Sequence, residues 1–190
     1  AVIDLLSPPG RIASGEVFLD GEKVSGLSPE QMRSVRGSKI GFIFQDPMTS
    51  LNPLFTVEQQ LKETIHANMK VSDQEAYQRS LDLMNQVGIP QPENRLKQYP
   101  HQFSGGMRQR VVIAIALAGE PDLIIADEPT TALDVSIQDQ ILGLIRDLCI
   151  KKNVGCMLVT HDMGVVSNVT DRVAVMYRGD LVEFGPTAKV

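Results

Sequence analysis

Asp127 and Glu128 stand side by side, directly after four apolar residues, 123–126. Such a run is typical of a buried parallel strand, and open α/β sheets bind their ligands beyond the carboxyl ends of such strands. In that place Asp127 could hold Mg²⁺ through water, and Glu128 could polarise an attacking water. A strand that merely ends in two solvated acids is the alternative interpretation, because short motifs also match by chance.

Ser104, Gly105 and Gly106 precede a strongly helical run, residues 107–117. The serine is predicted to cap this helix, and the glycines to form its first turn. Two glycines weaken a helix by about 1 kcal/mol each relative to alanine. That loss is understandable if a phosphate must approach bare N–H groups at the positive end of the helix dipole. A flexible Gly-Gly hinge is the alternative.

Two more polar side chains are predicted at strand ends. A β-rich run, residues 39–44, ends at Gln45, and a second buried strand, residues 156–160, is predicted to end at His161. We expect Gln45 to face the same crevice as Asp127, and His161 to lie beside the end of the strand that carries Asp127 and Glu128, because ligands bind where parallel strands end. A single glutamine or histidine at a strand end is, by itself, more often a solvated or satisfied polar residue.

Local patterns also predict the elements that position these side chains. Residues 46–117 are mainly helical in pattern and separate two strands of the sheet. Residues 15–24 and 172–184 predict antiparallel hairpins. The expected fold is therefore α/β, a mostly parallel sheet with an inserted helical part and an antiparallel β edge. Three capping boxes support the helices, beginning at Ser28, Thr56 and Ser72.

The sequence predicts two further helix boundaries, one where a helix ends and one where a helix begins. Residues 7–10 are predicted to break an opening helix, and Ser136, three residues before Asp139, is predicted to begin the helix that follows the carboxylate pair.

Composition limits the classes of function. The chain has 190 residues and 43% hydrophobic content, which suits a single domain with an ordinary core. Its net charge of −5 gives no electrostatic case for nucleic acid or anionic lipid. The longest apolar run, residues 111–118, is far shorter than the roughly 18 residues of a spanning helix. Cys149 and Cys156 lack metal-ligand spacing and are expected to be reduced packing residues.

In their order, these segments resemble the motifs of ABC transporter nucleotide-binding domains. Five segments carry the resemblance: residues 44–47 are similar to the Q-loop, 103–109 to the signature, 123–128 to Walker B, 132–134 to the D-loop and 160–162 to the switch histidine.

One branch of that family is closer still. Residues 43–53 and 99–104 resemble the ATPase subunits of bacterial dipeptide, oligopeptide and nickel importers. The resemblance covers essentially the whole chain.

The resemblance implies a P-loop NTPase-like, or RecA-like, fold. Residues 1–45 and 118–190 would form a discontinuous and incomplete ATPase core, and residues 46–117 the helical subdomain that carries the signature. No stretch of the sequence reads G-x-x-x-x-G-K-[ST], the phosphate-binding Walker A loop. Because residues 1–6 resemble the end of the helix that follows this loop, we expect an N-terminally truncated chain that is inactive alone.

The resemblance also assigns roles around ATP and Mg²⁺. Glu128 would be the general base or would orient the attacking water, and His161 would sense the γ-phosphate. Gln45 would contact both Mg²⁺ and the attacking water, and Asp127 would serve Mg²⁺. The remaining assigned residues would contact the nucleotide bound to a second subunit, or link the two sites: Ser104, Gly105, Gly106, Gln109 and Asp134.

The implied partners are a second ATPase subunit, identical or different, and transmembrane permease subunits. A periplasmic or extracellular substrate-binding protein would act indirectly, and no nucleic acid is involved. The chain would lie on the cytoplasmic face of the inner membrane as a peripheral subunit that powers uptake of di- or oligopeptides, or nickel.

Two alternatives stay open. One is a catalytically silent fragment or regulatory module that contributes only its signature face. The other is a non-transport ABC ATPase, which would predict long coiled coils, zinc-binding CxxC pairs or basic arms; the sequence has none of them.

The 46–55 segment offers an expectation about coupling. It contains several turn signals together with Met48, Leu51 and Leu54, which we expect to be exposed. These residues predict a docking groove for a short helix of a membrane subunit. The alternative is that they fold back onto the helical part.

Overall fold

A computed structural model of the chain describes Ile3, residues 10–131 and residues 133–190. Apart from Ile3 and Gly10, the predicted opening helix and its break at residues 7–10 lie outside this range, and so does Ala132 of the predicted D-loop. The described strands are Phe18–Leu19 (β1), Glu22–Lys23 (β2), Ile40–Ile43 (β3), Leu123–Asp127 (β4), Gly155–Val159 (β5), Arg172–Tyr177 (β6) and Asp180–Pro186 (β7).

The helices span both the sheet-forming and the helical parts of the chain. They are Pro29–Ser34 (α1), Pro47–Ser50 (α2), Val57–Asn68 (α3), Asp73–Gln86 (α4), Pro92–Leu96 (α5), Gly105–Leu117 (α6), Val135–Lys152 (α7) and Met163–Val169 (α8). Shorter helical pieces are the π-helix Val35–Lys39 and the 3₁₀ turns Pro100–Gln102 and Thr187–Lys189. No helix within the described part of the chain is long and apolar enough to cross a membrane.

A parallel sheet with the order β3-β4-β5 positions the site. Ile43 is opposite Ala126, and Asp127 is opposite Val159, so the three strands end at the same edge. The expected parallel sheet is thereby confirmed. β5 differs from the expectation of a buried strand, because it is the last of the described strands of this sheet and most of its residues are exposed.

Both predicted hairpins form. β1 pairs antiparallel with β2 through Asp20 and Gly21, and β6 pairs with β7 through Arg178 and Gly179. All four turn residues have positive φ angles. Two consecutive residues of this kind match the right-handed twist of the flanking strands.

Side-chain caps begin the helices where the sequence predicts them. Ser28, Thr56 and Ser72 each accept a hydrogen bond from a backbone N–H three residues on, and the Gln or Glu at that position reaches back in a capping box. The prediction for Ser136 is wrong: α7 begins at Val135. The carbonyl of Asp134 accepts hydrogen bonds from the backbone N–H groups of Ile137 and Gln138, which makes Asp134 the N-cap residue.

The main core joins the helical segment to the sheet. Leu61 and Met84 from the helices belong to the same buried cluster as Ile43, Ile124 and Ile141. The helical part, residues 46–117, and the rest of the chain therefore share one hydrophobic core.

Candidate functional site

The carboxylate of Glu128 is the centre of the site, and three side chains converge on it. Gln45 Nε2 donates to Glu128 Oε2 at 2.8 Å. Thr131 Oγ1 donates to the same oxygen at 2.9 Å. His161 Nδ1 lies 2.9 Å from Oε1. The sheet thus brings together Gln45, Glu128 and His161, all three of the side chains that we predicted to have catalytic roles.

These contacts favour the charged form of the acid. The hydrogen bond with His161, followed by that from Thr131, lowers the pKa of Glu128 below its ordinary value, although partial burial acts in the opposite direction. An ionised carboxylate is the form that can take a proton from water.

The backbone of Glu128 is held in an unusual conformation. Its φ angle is +45°, in the left-handed region that residues other than glycine rarely adopt. Its N–H donates to the carbonyl of Val159 at 2.9 Å, which ties the end of β4 to β5. Strained conformations of this kind persist where surrounding contacts hold them, and they concentrate at functional sites.

Asp127 and Gln45 supply oxygen atoms that suit Mg²⁺. Asp127 is the exposed last residue of β4, and among the described residues its carboxylate makes no hydrogen bond or ion pair. Gln45 directs its amide nitrogen to Glu128, so its carbonyl oxygen remains available. Oxygen atoms of this kind suit a cation that keeps several waters and binds phosphate oxygens.

The start of α6 forms a second predicted surface. Ser104 Oγ accepts from the N–H of Met107 at 3.3 Å, so the predicted cap is confirmed. A Cβ atom built on Gly105 would lie 3.5 Å from Leu133 Cδ2, and one on Gly106 would lie 2.9 Å from Ile137 Cγ2. The glycine turn therefore packs beside the segment that contains Asp134, whose side chain makes no capping bond. None of these residues contacts the Glu128 carboxylate through a described hydrogen bond.

Gln109 differs from the other residues assigned to the nucleotide. Its side chain is 0% exposed, and among the described residues neither amide atom has a hydrogen-bond partner. Gln109 lies one helical turn after Gly105, on the side of α6 that faces Leu133. Its nucleotide contact stays a prediction, and this burial argues against it.

Two contacts near the site were missed from the sequence. Thr131 lies three residues after Glu128 in a polar turn, a spacing from which a hydroxyl can bond back. Arg108 Nη1 lies 2.7 Å from Met48 Sδ, and its Nε donates to the carbonyl of Pro100 at 2.9 Å. Arg108 therefore links the signature helix to the residues that follow Gln45, a contact that no local pattern indicates.

The 46–55 segment corrects one expectation. Leu51 is only 3% exposed and belongs to the main core, whereas Met48 is 58% and Leu54 is 79% exposed. Buried Gln60 fixes this turn by accepting from the N–H of Asn52 and donating to the carbonyls of Asn52 and Phe55. The exposed apolar surface of the segment is therefore made by Met48, Leu54 and Phe55, without Leu51.

Comparisons with known proteins agree with this geometry. The family model described as ABC transporter matches residues 1–131. The oligopeptide transport ATP-binding protein OppD of Bacillus subtilis is 54% identical over 183 residues, which is 96% of this chain and 51% of that protein. The dipeptide transport ATP-binding protein DppD of the same species is 52% identical over 186 residues, 97% of this chain and 56% of that protein. The chain spans about half the length of these curated relatives.

Solved structures show the same fold. The ATP-binding cassette MJ0796, in a dimeric post-hydrolysis state bound to ADP and Pi, has a TM-score of 0.80 and 30% identity, with 92% of this chain and 74% of that one covered. The cbiO1 protein from Clostridium perfringens, part of the cbiONQ transporter complex, has a TM-score of 0.83 and 29% identity, with coverage of 99% and 70%. The chain belongs to the ABC transporter family.

Proposed function

We propose that this chain is part of the ATP-hydrolysing subunit of a bacterial importer for di- or oligopeptides. The observation that carries the proposal is the Glu128 carboxylate, held by Gln45, Thr131 and His161 at the ends of parallel strands. The names of the relatives, oligopeptide and dipeptide transport ATP-binding proteins, support the substrate class.

In the proposed reaction Glu128 receives a proton from the attacking water. The amide of Gln45 and the ring of His161 fix the direction of the carboxylate, so catalysis rests on positioning and electrostatics. Bound Mg²⁺ would neutralise charge on the phosphates of ATP. The residues that would hold it are Asp127 and Gln45, through their free oxygen atoms.

His161 has a second proposed task, contact with the γ-phosphate. Its Nδ1 faces the carboxylate of Glu128, and the exposed ring leaves Nε2 for the phosphate. Donating in both directions requires a proton on each ring nitrogen.

The site is proposed to be composite. Backbone N–H groups at Ser104, Gly105 and Gly106 would contact the ATP of a second subunit, because the start of a helix attracts anions. Asp134, beside this turn, would link the two sites across the interface. The dimeric MJ0796 structures support such an arrangement.

The permease is the proposed membrane partner. Met48, Leu54 and Phe55 form an exposed apolar surface that closely follows Gln45 in sequence. Arg108 ties Met48 to the signature helix, so a helix docked here would connect to both parts of the site. In this proposal the protein lies on the cytoplasmic face of the membrane, and a substrate-binding protein delivers peptide to the permease.

The proposed division of the chain follows the same family pattern. Residues 1–45 and 118–190 are the ATPase core, and residues 46–117 are the helical subdomain.

Replacing the base tests the function. In the full-length gene product, Glu128→Gln should leave ATP binding intact while hydrolysis falls by about two orders of magnitude or more, the loss expected for a positioned base. Glu183→Gln, an exposed change on β7, is the matched control and should behave as the parent. A Glu128→Gln variant whose hydrolysis stays within about threefold of the parent would refute the assignment. A parent protein that binds ATP without hydrolysing it would favour the silent regulatory module.

A further inference from the structure

Thr131 contacts Glu128 at two points. Its hydroxyl donates to Glu128 Oε2 at 2.9 Å, and its backbone N–H donates to the Glu128 carbonyl at 3.3 Å. The turn after β4 therefore folds back onto the acid that ends it.

The three donors to the carboxylate come from different places in the chain. Gln45 follows β3 and His161 follows β5, so each depends on a separate strand. Thr131 belongs to the turn that Glu128 itself begins, and it shares Oε2 with Gln45. When the segments that carry Gln45 or His161 shift, the contact with Thr131 can remain.

The Thr131 hydroxyl does not need its bond to Glu128 in order to avoid being buried without a partner. Thr131 is exposed, so water could satisfy its hydroxyl at little cost in free energy. A glutamate side chain has three rotatable bonds, and a left-handed backbone at Glu128 does not by itself select one of their rotamers. Together with the contacts from Gln45 and His161, the short contact from Thr131 limits where the carboxylate points.

We propose that Thr131 is a positioning residue for hydrolysis, whose hydroxyl holds the Glu128 carboxylate in the direction from which it acts on water. The inference rests on the proposed function, because it assumes that Glu128 is the base. The competing explanation is a turn-stabilising hydroxyl with no effect on the reaction.

Four variants of the full-length gene product separate these explanations. Thr131→Val removes the donor while keeping the shape, and Thr131→Ser restores the donor. Thr130→Val makes the same chemical change one residue away, and Glu128→Gln reports on the base. Steady-state hydrolysis of Mg-ATP and thermal melting are measured for each variant.

The positioning role predicts a specific separation of kinetic constants. Thr131→Val should lower kcat by about ten- to hundredfold, as expected for one hydrogen bond to a charged group, and leave KM for ATP within about twofold. Its Tm should stay within about 2 °C of the parent. Thr131→Ser should recover most of kcat, and Thr130→Val should resemble the parent.

The outcomes distinguish failure of this inference from failure of the proposed function. Unchanged kcat in Thr131→Val, together with a large loss in Glu128→Gln, would overturn the role of Thr131 alone. Unchanged kcat in both variants would overturn the proposed function. A fall in Tm with a proportional loss of active protein would also refute positioning, since that is what a turn-stabilising residue does. If Thr131→Val does not fold, Thr131→Ala is measured by the same criteria.

Discussion

Gly105→Ala should make the protein more stable and less active at once. Gly105 is the first residue of α6, it is exposed, and its φ angle is not positive. A methyl group placed there would lie 3.5 Å from Leu133 Cδ2, which is an ordinary van der Waals contact. The fold therefore has room for alanine, and any loss of function must come from what approaches the helix from outside.

The expected gain in stability can be estimated. Alanine is better than glycine in a helix by up to about 1 kcal/mol. For a chain of this length, that gain raises Tm by about 2 to 4 °C. Gly106→Ala should gain less or lose, because its methyl would lie 2.9 Å from Ile137 Cγ2 and this side chain would have to move.

The expected loss of activity follows from the proposed phosphate contact. The added methyl would stand beside the N–H groups that a phosphate must reach, so we expect ATP hydrolysis to fall by up to about a hundredfold, the loss that a displacement of about 1 Å causes. Melting and hydrolysis are measured on the same preparation of the full-length gene product. Gly143→Ala, inside α7 with no described neighbour within 4 Å of its Cβ position, should gain stability without losing activity.

Two results would refute this reasoning. Full activity in Gly105→Ala would show that phosphate does not approach this turn. A lower Tm would show that the start of α6 has no room for a methyl group beside Leu133.

Two further predictions concern buried and exposed positions. Gln109→Leu should raise the free energy of unfolding by about 1 to 3 kcal/mol in a denaturant titration, because it removes buried amide atoms that have no partner among the described residues. Nucleotide affinity should not change; a weaker affinity would support the nucleotide contact assigned from the sequence, and a loss of stability would show that the amide has a partner. Leu54→Asp should leave melting and ATP binding unchanged but prevent co-purification with the permease, since Leu54 is exposed. Leu51→Asp, the paired change, should destabilise the fold by about 3 kcal/mol or more, because it buries a charge in the core. Normal assembly of Leu54→Asp would place the permease contact elsewhere.

Features set by neighbouring residues were predictable from the sequence. The caps at Ser28, Thr56 and Ser72 depend on a side chain and a backbone group within four residues, so the sequence alone contains both partners. The position of Gln45 and His161 at the sheet edge that carries Asp127 and Glu128 was also predicted, because parallel strands that end in polar residues place those residues at one edge. The direct bond from Gln45 to Glu128 was not predicted.

Features set by long-range packing were not predictable. Leu51 stands between turn residues like Leu54 does, yet only Leu51 reaches the core, because buried Gln60 fixes the turn around it. The burial of Gln109 depends on the helix being covered, and the exposure of β5 depends on its place as the last described strand of the sheet. α7 begins at Val135, one residue before the predicted Ser136. The carbonyl of Asp134 accepts a hydrogen bond from the N–H of Ile137, so the helix starts there without a side-chain cap.

The sequence distance across the site has a consequence for how the protein folds. Gln45 and Glu128 are 83 residues apart in sequence, and the whole helical segment lies between them. Closing a loop of that length loses chain entropy before any contact repays it. The helices between them contain mostly local contacts, which form first, and their collapse brings β3 and β4 close enough to pair. We therefore expect the hydrogen bond that orients Glu128 to form late. A substitution that slows folding of the intervening helices would then delay activity even where every residue of the site is intact.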